Sequence, residues 1–242
     1  MKKILICFIG TGSYLKFLPQ YYQKIMDNFC LSEQKDFLVL TDGELSEVPN
    51  NIILKNIEHK PWPFITLERF GIIEQALSDI EQTYDWLVFM DADTIVNSKI
   101  EYDDFFNETK DYFGVHHPCH FMNMNPHNQK YGSFDRTNSR ARVNDDDDLS
   151  IYWQGCLWGG KFPEIMELIS DLDNRIQLDL KDDIIAQWHD ESHLNKFFIE
   201  NKDKVNTLSP SYAYPEDFNI AAKNHFEPKI IHLSKNNSEY HS

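Results

Sequence analysis

Residues 86–93 read WLVFMDAD, and the fold of the whole chain turns on how this stretch is read. Trp86 to Met90 are apolar without interruption, as expected of a strand buried on both faces at the centre of a parallel sheet. Such a strand delivers Asp91-Ala92-Asp93 at its carboxyl end, the edge where open α/β sheets bind their ligands. Side chains at i and i+2 of an extended chain share a face, so Asp91 and Asp93 converge. Two convergent carboxylates suit a hard dication that in turn holds a diphosphate. The competing reading has Asp93 capping the next turn. Other acidic pairs lack this setting: Asp171 and Asp173 fall in a helical region, where i and i+2 do not face each other. The run Asp145 to Asp148 reads as a solvated loop.

Working outward, short β-like runs alternate with longer helical ones, the pattern of a mostly parallel sheet with helices on both faces. ILICFI (Ile4 to Ile9) reads as a buried first strand and Tyr14 to Phe29 as an amphipathic helix. FLVL (Phe37 to Leu40) is a second strand, stopped by TDG, and NIILKNI a third. FITLERFGIIEQAL has helical spacing and is entered through PWP, whose prolines suit a helix start. Asn123 to Ser150 is poor in aliphatics and reads as a long surface loop. Strand-like IYWQGCLW follows, then a helix from Pro163, a further helix around Trp188 to Phe198, and a late strand KIIHL (Lys229 to Leu233).

At 242 residues, with 41% hydrophobic composition, the chain can bury one substantial core, and we expect a single domain over 1–242. A formal net charge of −16 argues against nucleic acid or an anionic membrane as partner. No apolar run is long enough to span a bilayer, and MKKILICFIGTGSY turns polar too early for a secretory signal. The expectation is a soluble cytoplasmic protein with no transmembrane anchor. Cys7, Cys30, Cys119 and Cys156 are scattered without C-x-x-C spacing, which favours free thiols.

WHDESHLNKFF (Trp188 to Phe198) poses a different question, because His189 and His193 are four apart with acids between them. A zinc-protease helix needs glutamate directly after the first histidine, and here Asp190 takes that slot with Glu191 behind it. Projected at about 100° per residue, Leu194, Phe197 and Phe198 form the core stripe, Asp190 and Glu191 flank it, and both histidines fall on the side of Lys196. Carboxylates carried toward an interior are costly unless paired. The plainer alternative is a solvated acidic first turn, with Asp190 as N-cap and Glu191 favoured by the helix dipole. A zinc metallohydrolase using His189 and His193 would need a distant third ligand and zinc in the purified protein. A noncatalytic sugar-binding module would tolerate loss of Glu191 and the Asp91/Asp93 pair.

FIGTGSY at the carboxyl end of the first strand offers two glycines for close backbone approach and Tyr14 to stack on a base, although it is neither G-x-G-x-x-G nor a Walker loop. Taken in order, FIGTGSY, WPFITLERF, DAD, HHPCHF, YWQGCLWGG, WHDESHLNKFF and LSPSYAY resemble glycosyltransferase family six, the family of the ABO blood-group transferases and the α1,3-galactosyltransferase, in a short bacterial or phage-like form. The resemblance runs from about Ile4 to Asn237, and it implies one catalytic domain over 1–242, with a nucleotide-binding part to about residue 95 and an acceptor and catalytic part over about 96–242. It implies a GT-A fold and retaining transfer of N-acetylgalactosamine or galactose from the UDP-sugar to the 3-hydroxyl of a β-galactoside, in an α1,3 link.

Carried over by position, the resemblance makes Glu191 the catalytic carboxylate beneath the anomeric carbon, also in reach of the acceptor. Asp190 holds the donor sugar's hydroxyls, with His189 beside it, while His193 is a structural polar residue. Trp188 and His117 contact the acceptor galactose. Asp91 and Asp93 are ligands of Mn2+ or another divalent cation. Ile9, Gly10, Thr11 and Tyr14 hold uridine, Arg69 binds the donor, and Lys235 lies near the diphosphate. Gln154-Gly155-Cys156 stands where the family tunes donor choice and matches none of its familiar forms. Space beside C2 of the sugar then favours N-acetylgalactosamine, with a fucosylated β-galactoside as acceptor. FDRTNSRARV, with Arg136, follows the family only loosely, and SEYHS lacks its basic tail.

Overall fold

The computed structural model describes residues 1–80, 83–122, 133–217 and 226–235. In chain order the strands are β1 (Lys3–Ile9), β2 (Gln34–Thr41), β3 (Ile52–Asn56), β4 (Trp86–Met90), β5 (Thr94–Val96), β6 (Tyr112–His116), β7 (Trp153–Lys161), β8 (Val205–Leu208), β9 (Tyr214–Pro215) and β10 (Ile230–His232). The helices are α1 (Leu18–Asn28), α2 (Phe64–Leu67), α3 (Arg69–Leu77), α4 (Tyr102–Phe105), α5 (Pro118–Phe121), α6 (Glu164–Lys181) and α7 (His189–Glu200). Seven strands form one sheet in the order β3-β2-β1-β4-β7-β6-β8, with β5, β10 and β9 in a second, smaller sheet. The first four neighbours are parallel, β7 runs antiparallel to both β4 and β6, and β6 and β8 are parallel again. This is the mostly parallel α/β architecture that the alternation of elements predicts.

The uninterrupted apolar runs of β1, β2 and β4 feed two cores at once. Ile4, Ile6, Phe8, Phe37, Val39, Trp86, Val88 and Met90 point into one, where α1 contributes Leu18, Tyr21 and Ile25. The alternate residues, Leu5, Cys7, Leu38, Leu40, Leu87 and Phe89, point into the other, against α3, α6 and α7. β4 lies between β1 and β7, so the expected central strand is central, and its end opens onto the middle of the molecule.

Three expectations are corrected. The helix read from Tyr14 begins as a tight 3-10 turn over Gly12–Phe17, and α1 starts only at Leu18, with Pro19 in its first turn. The stretch 123–150 is not simply a surface loop: residues 123–132 lie outside the described residues, but Asp135, Ser139, Ala141 and Val143 are buried. Polar side chains make that burial tolerable, since Asp179 accepts from Ser139 Oγ at 2.7 Å and from Arg140 N, and Asp135 accepts from Thr137 N and Gln187 N at 2.7 Å. Asp147, in the run expected to be solvated, pairs with Lys196 at 3.1 Å. The SEYHS tail lies outside the described residues. Among the described residues no helix is long and apolar enough to cross a membrane.

Candidate active site

At the carboxyl end of β4 the Asp-x-Asp pair is joined by a residue from far along the chain. β10 pairs antiparallel with β5 and sets His232 opposite Thr94, while Leu233 N donates to Asp93 O at 2.8 Å. His232 Nε2 thereby lies 3.4 Å from Asp91 Oδ2 and 3.2 Å from Asp93 Oδ1. It is buried without a hydrogen-bond partner of good geometry. One ligand atom from each of Asp91, Asp93 and His232 lies within 4.8 Å of the others, the one such trio of potential metal ligands among the described residues. Two carboxylates, an imidazole and an otherwise unsatisfied nitrogen fit a divalent cation. Lys235 also pairs with Asp93, and its ammonium stands 4.6 Å above the Tyr14 ring.

Arg69, at the start of α3, ties this cluster to α7. Its Nη1 donates to Asp91 Oδ1 at 3.0 Å, its Nε lies 3.1 Å from Asp190 Oδ2, and its guanidinium sits 4.8 Å over Phe89. Burial works to raise the Asp91 carboxyl, but Arg69, His232 and Lys235 outweigh it and hold Asp91 well below the usual range. Asp190 receives less help: burial pushes it up to about 6 despite Arg69. Asp190 is therefore the buried partner of an arginine and not a solvated N-cap, and the residue preceding α7 is Trp188, with no side-chain cap. His189, which opens α7 immediately before these carboxylates, takes a left-handed backbone (φ 48°), uncommon for a residue with a side chain.

Glu191 is gripped at both oxygens: Tyr152 Oη donates to Oε1 and Gly155 N to Oε2, each at 2.7 Å. Burial nevertheless pushes its carboxyl up to about 7, against the pull of those two donors. Gly155 packs closely there: a Cβ would lie 3.1 Å from Glu191 Cβ, tight enough to push on the Glu191 side chain.

Two adjoining cavities share Trp62, Thr66, Arg69 and Asp91. The first, about 210 Å³, is lined by Ile9, Thr11, Tyr14, His59, Ala92, Asp93 and Lys235 among others. The second, about 380 Å³, is lined by Gln154, Gly155, Cys156, Trp188, His189, Asp190, Glu191 and His232. The structure thus brings together nearly all the residues singled out from the sequence. Gly10 lines neither cavity; it is packed against Phe8, which a Cβ would meet at 2.4 Å. His117 stands one layer back, its ring edge-on to Tyr152 at 5.8 Å. Arg136 points elsewhere, to Asp145 and the Val143 carbonyl.

His189, His193 and Lys196 keep helical spacing along α7, yet the two histidines meet different surroundings. His193 is wholly buried, its Nε2 facing Asp179 at 3.5 Å, whereas His189 packs edge-on against Trp62 at 5.0 Å. Among the described residues they do not converge on one candidate cation site. Burial pulls His193 down to about 4, so it is a neutral core residue.

Sequence reasoning missed His232, Tyr152, Trp62 and His59. A histidine closing the apolar run KIIHL carries no spacing signal, because only the β5–β10 pairing brings it to Asp91. Trp62, 49% exposed at the mouth of both cavities, was legible only as part of a helix start.

A sheet whose strand ends carry a carboxylate-histidine cluster, with Asp190 and Glu191 across one arginine, is the arrangement expected of an α/β enzyme that binds its ligand at the carboxyl ends of its strands. The model of "Glycosyltransferase family 6" matches residues 3–241, and the chain belongs to that family. It is a glycosyltransferase, of a family that uses a divalent metal. It is 30% identical over 217 residues to the "O-antigen biosynthesis glycosyltransferase WbnI" of Escherichia coli, covering 89% of each chain. It is 23% identical over 215 residues to the "Histo-blood group ABO system transferase 2" of Rattus norvegicus, covering 86% of this chain and 62% of that one. It is 24% identical over 221 residues to the human "Globoside alpha-1,3-N-acetylgalactosaminyltransferase 1", covering 87% and 60%. The chain therefore spans less than two thirds of the length of these two mammalian relatives.

Proposed function

We propose that the chain is a retaining transferase that moves N-acetylgalactosamine, or galactose, from the UDP-sugar to the 3-hydroxyl of a β-galactoside, forming an α1,3 link. The observation that carries this reading is the shared wall: Arg69 and Asp91 separate a cavity suited to a nucleotide from one that ends on Glu191. In the first, Ile9, Thr11 and Tyr14 take the uridine, and Lys235 neutralises the diphosphate. Asp91, Asp93 and His232 would hold Mn2+, which supplies positive charge to the leaving diphosphate. In the second, Asp190 and His189 hold the sugar's hydroxyls, with Arg69 keeping Asp190 ionised and fixed. Glu191 faces the anomeric carbon, where its charge stabilises the developing cation or attacks it. Trp188, with His117 behind Tyr152, offers the acceptor a face. On this reading the single catalytic domain divides by task, with residues to about 95 serving the nucleotide and later ones the sugar and acceptor; His232 and Lys235 are the exceptions.

Donor choice rests on the space beside C2 of the sugar. Gly155 leaves room, and Gln154 lines the sugar cavity with its Oε1 buried and unpaired, an acceptor that a turn of the side chain would offer to an amide N–H. That favours N-acetylgalactosamine, the sugar in the name of the human relative. Mass spectrometry of products from UDP-galactose and UDP-N-acetylgalactosamine with plain and fucosylated β-galactosides tests it. The expected discrimination is only ~1–3 kcal/mol, because shape separates such donors weakly. Cys156→Leu should shift preference toward galactose, and a strong wild-type preference for galactose contradicts the assignment.

A further inference from the structure

Tyr152 explains how Glu191 is held. The tyrosine is fully buried just before β7, three residues ahead of Gly155, so one short stretch of chain supplies both donors to the carboxylate. Its ring is caged by Phe134 at 5.0 Å, His117 at 5.8 Å and His120 at 6.0 Å, and its carbonyl accepts from His117 N at 2.8 Å. Phenylalanine would fill the same cage, so the hydroxyl is the feature that needs a reason. Burial, with Glu191 and Asp190 close by, pushes the phenol well above its usual range, which makes the hydroxyl a permanent donor.

We propose that Tyr152 is a positioning residue for Glu191: its hydroxyl, paired with the Gly155 amide, locks the plane of the carboxylate while leaving each oxygen a second lone pair to turn toward the sugar. Either donor alone would allow rotation about the last torsion, which is broad and weakly restrained. The cage couples this lock to the acceptor side, since His117 packs on the ring that holds Glu191. The proposal rests on Glu191 being the group that faces the anomeric carbon.

The test measures kcat and donor KM, with Mn2+, UDP-sugar and a β-galactoside, for the full chain and for Tyr152→Phe, Glu191→Gln and the double variant. Losing one hydrogen bond to a charged group is expected to lower kcat roughly 10- to 100-fold in Tyr152→Phe. Donor KM should stay within about twofold, because the bond is spent on orientation. In the Glu191→Gln background the same change should add less than about twofold, since residues acting as a unit are not additive. Tyr152→4-aminophenylalanine restores an N–H donor in the same cage and should recover part of kcat, a comparison that stands even if Tyr152→Phe folds poorly. Wild-type kcat in Tyr152→Phe, an equal loss in both backgrounds, or no recovery with the amino group overturns the proposal. Normal turnover in Glu191→Gln instead overturns the reading of Glu191 beneath it.

Discussion

Glu191 pays for its position in stability, and the sign of that cost can be measured. A carboxyl raised from 4.5 to about 7 on folding contributes stability that is fully present below about 4.5 and lost as pH rises through about 7. Replacing it by glutamine removes the ionisation that is lost to burial. Thermal unfolding of Glu191→Gln should therefore match wild type near pH 4 and exceed it near pH 8, by about 1–3 kcal/mol once partial solvent access is allowed for. Catalysis runs the other way, because the anion is the working form: kcat/KM should rise with pH toward a plateau above about 7. A variant both less stable and less active at pH 8 would contradict the desolvated-carboxylate account. At this scale the sequence exposed the carboxylates but not their partners: WHDE could equally begin a solvated acidic turn. Arg69 and Tyr152, which decide the matter, lie 121 and 39 residues away by numbering.

At the scale of elements, the sheet was legible and the site only in part. β1, β2 and β4 were readable because strands buried on both faces must be apolar at every position, whatever they pair with. β6 and β8, in YFGVH and VNTL, are short and mixed, and their place depends on packing beside β7. The small sheet was harder still. β5 has three residues and β10 three, yet their pairing supplies the third ligand of the candidate cation site. His232→Ala should thus weaken Mn2+ binding about 10-fold or more by titration calorimetry, with activity recovered by raising Mn2+. The same Mn2+ affinity in His232→Ala and wild type would leave Asp91 and Asp93 as the whole protein contribution.

For the whole molecule the relevant balance is charge. The chain carries a net −16, and within that total the site sets Asp91, Asp93, Asp190 and Glu191 against Arg69 and Lys235, with His232 beside the Asp91/Asp93 pair. An anionic nucleotide meets an acidic cleft unless a dication arrives with it. UDP alone should raise the melting temperature little, and UDP with Mn2+ substantially, by the equivalent of roughly 2.7 kcal/mol at a hundredfold excess over Kd. Equal shifts with and without metal would contradict the proposed role of the carboxylate-histidine cluster.

The central claim is that Glu191 works on the anomeric carbon of an α-linked UDP-sugar with retention. The most direct measurement is the NMR anomeric configuration of the product formed from a β-galactoside with Mn2+, run in parallel with Glu191→Gln. The account predicts an α-linked product at the 3-hydroxyl, made at least ~10²-fold more slowly by the variant. A β-linked product, or an α-linked one made at an undiminished rate without the Glu191 charge, would contradict it.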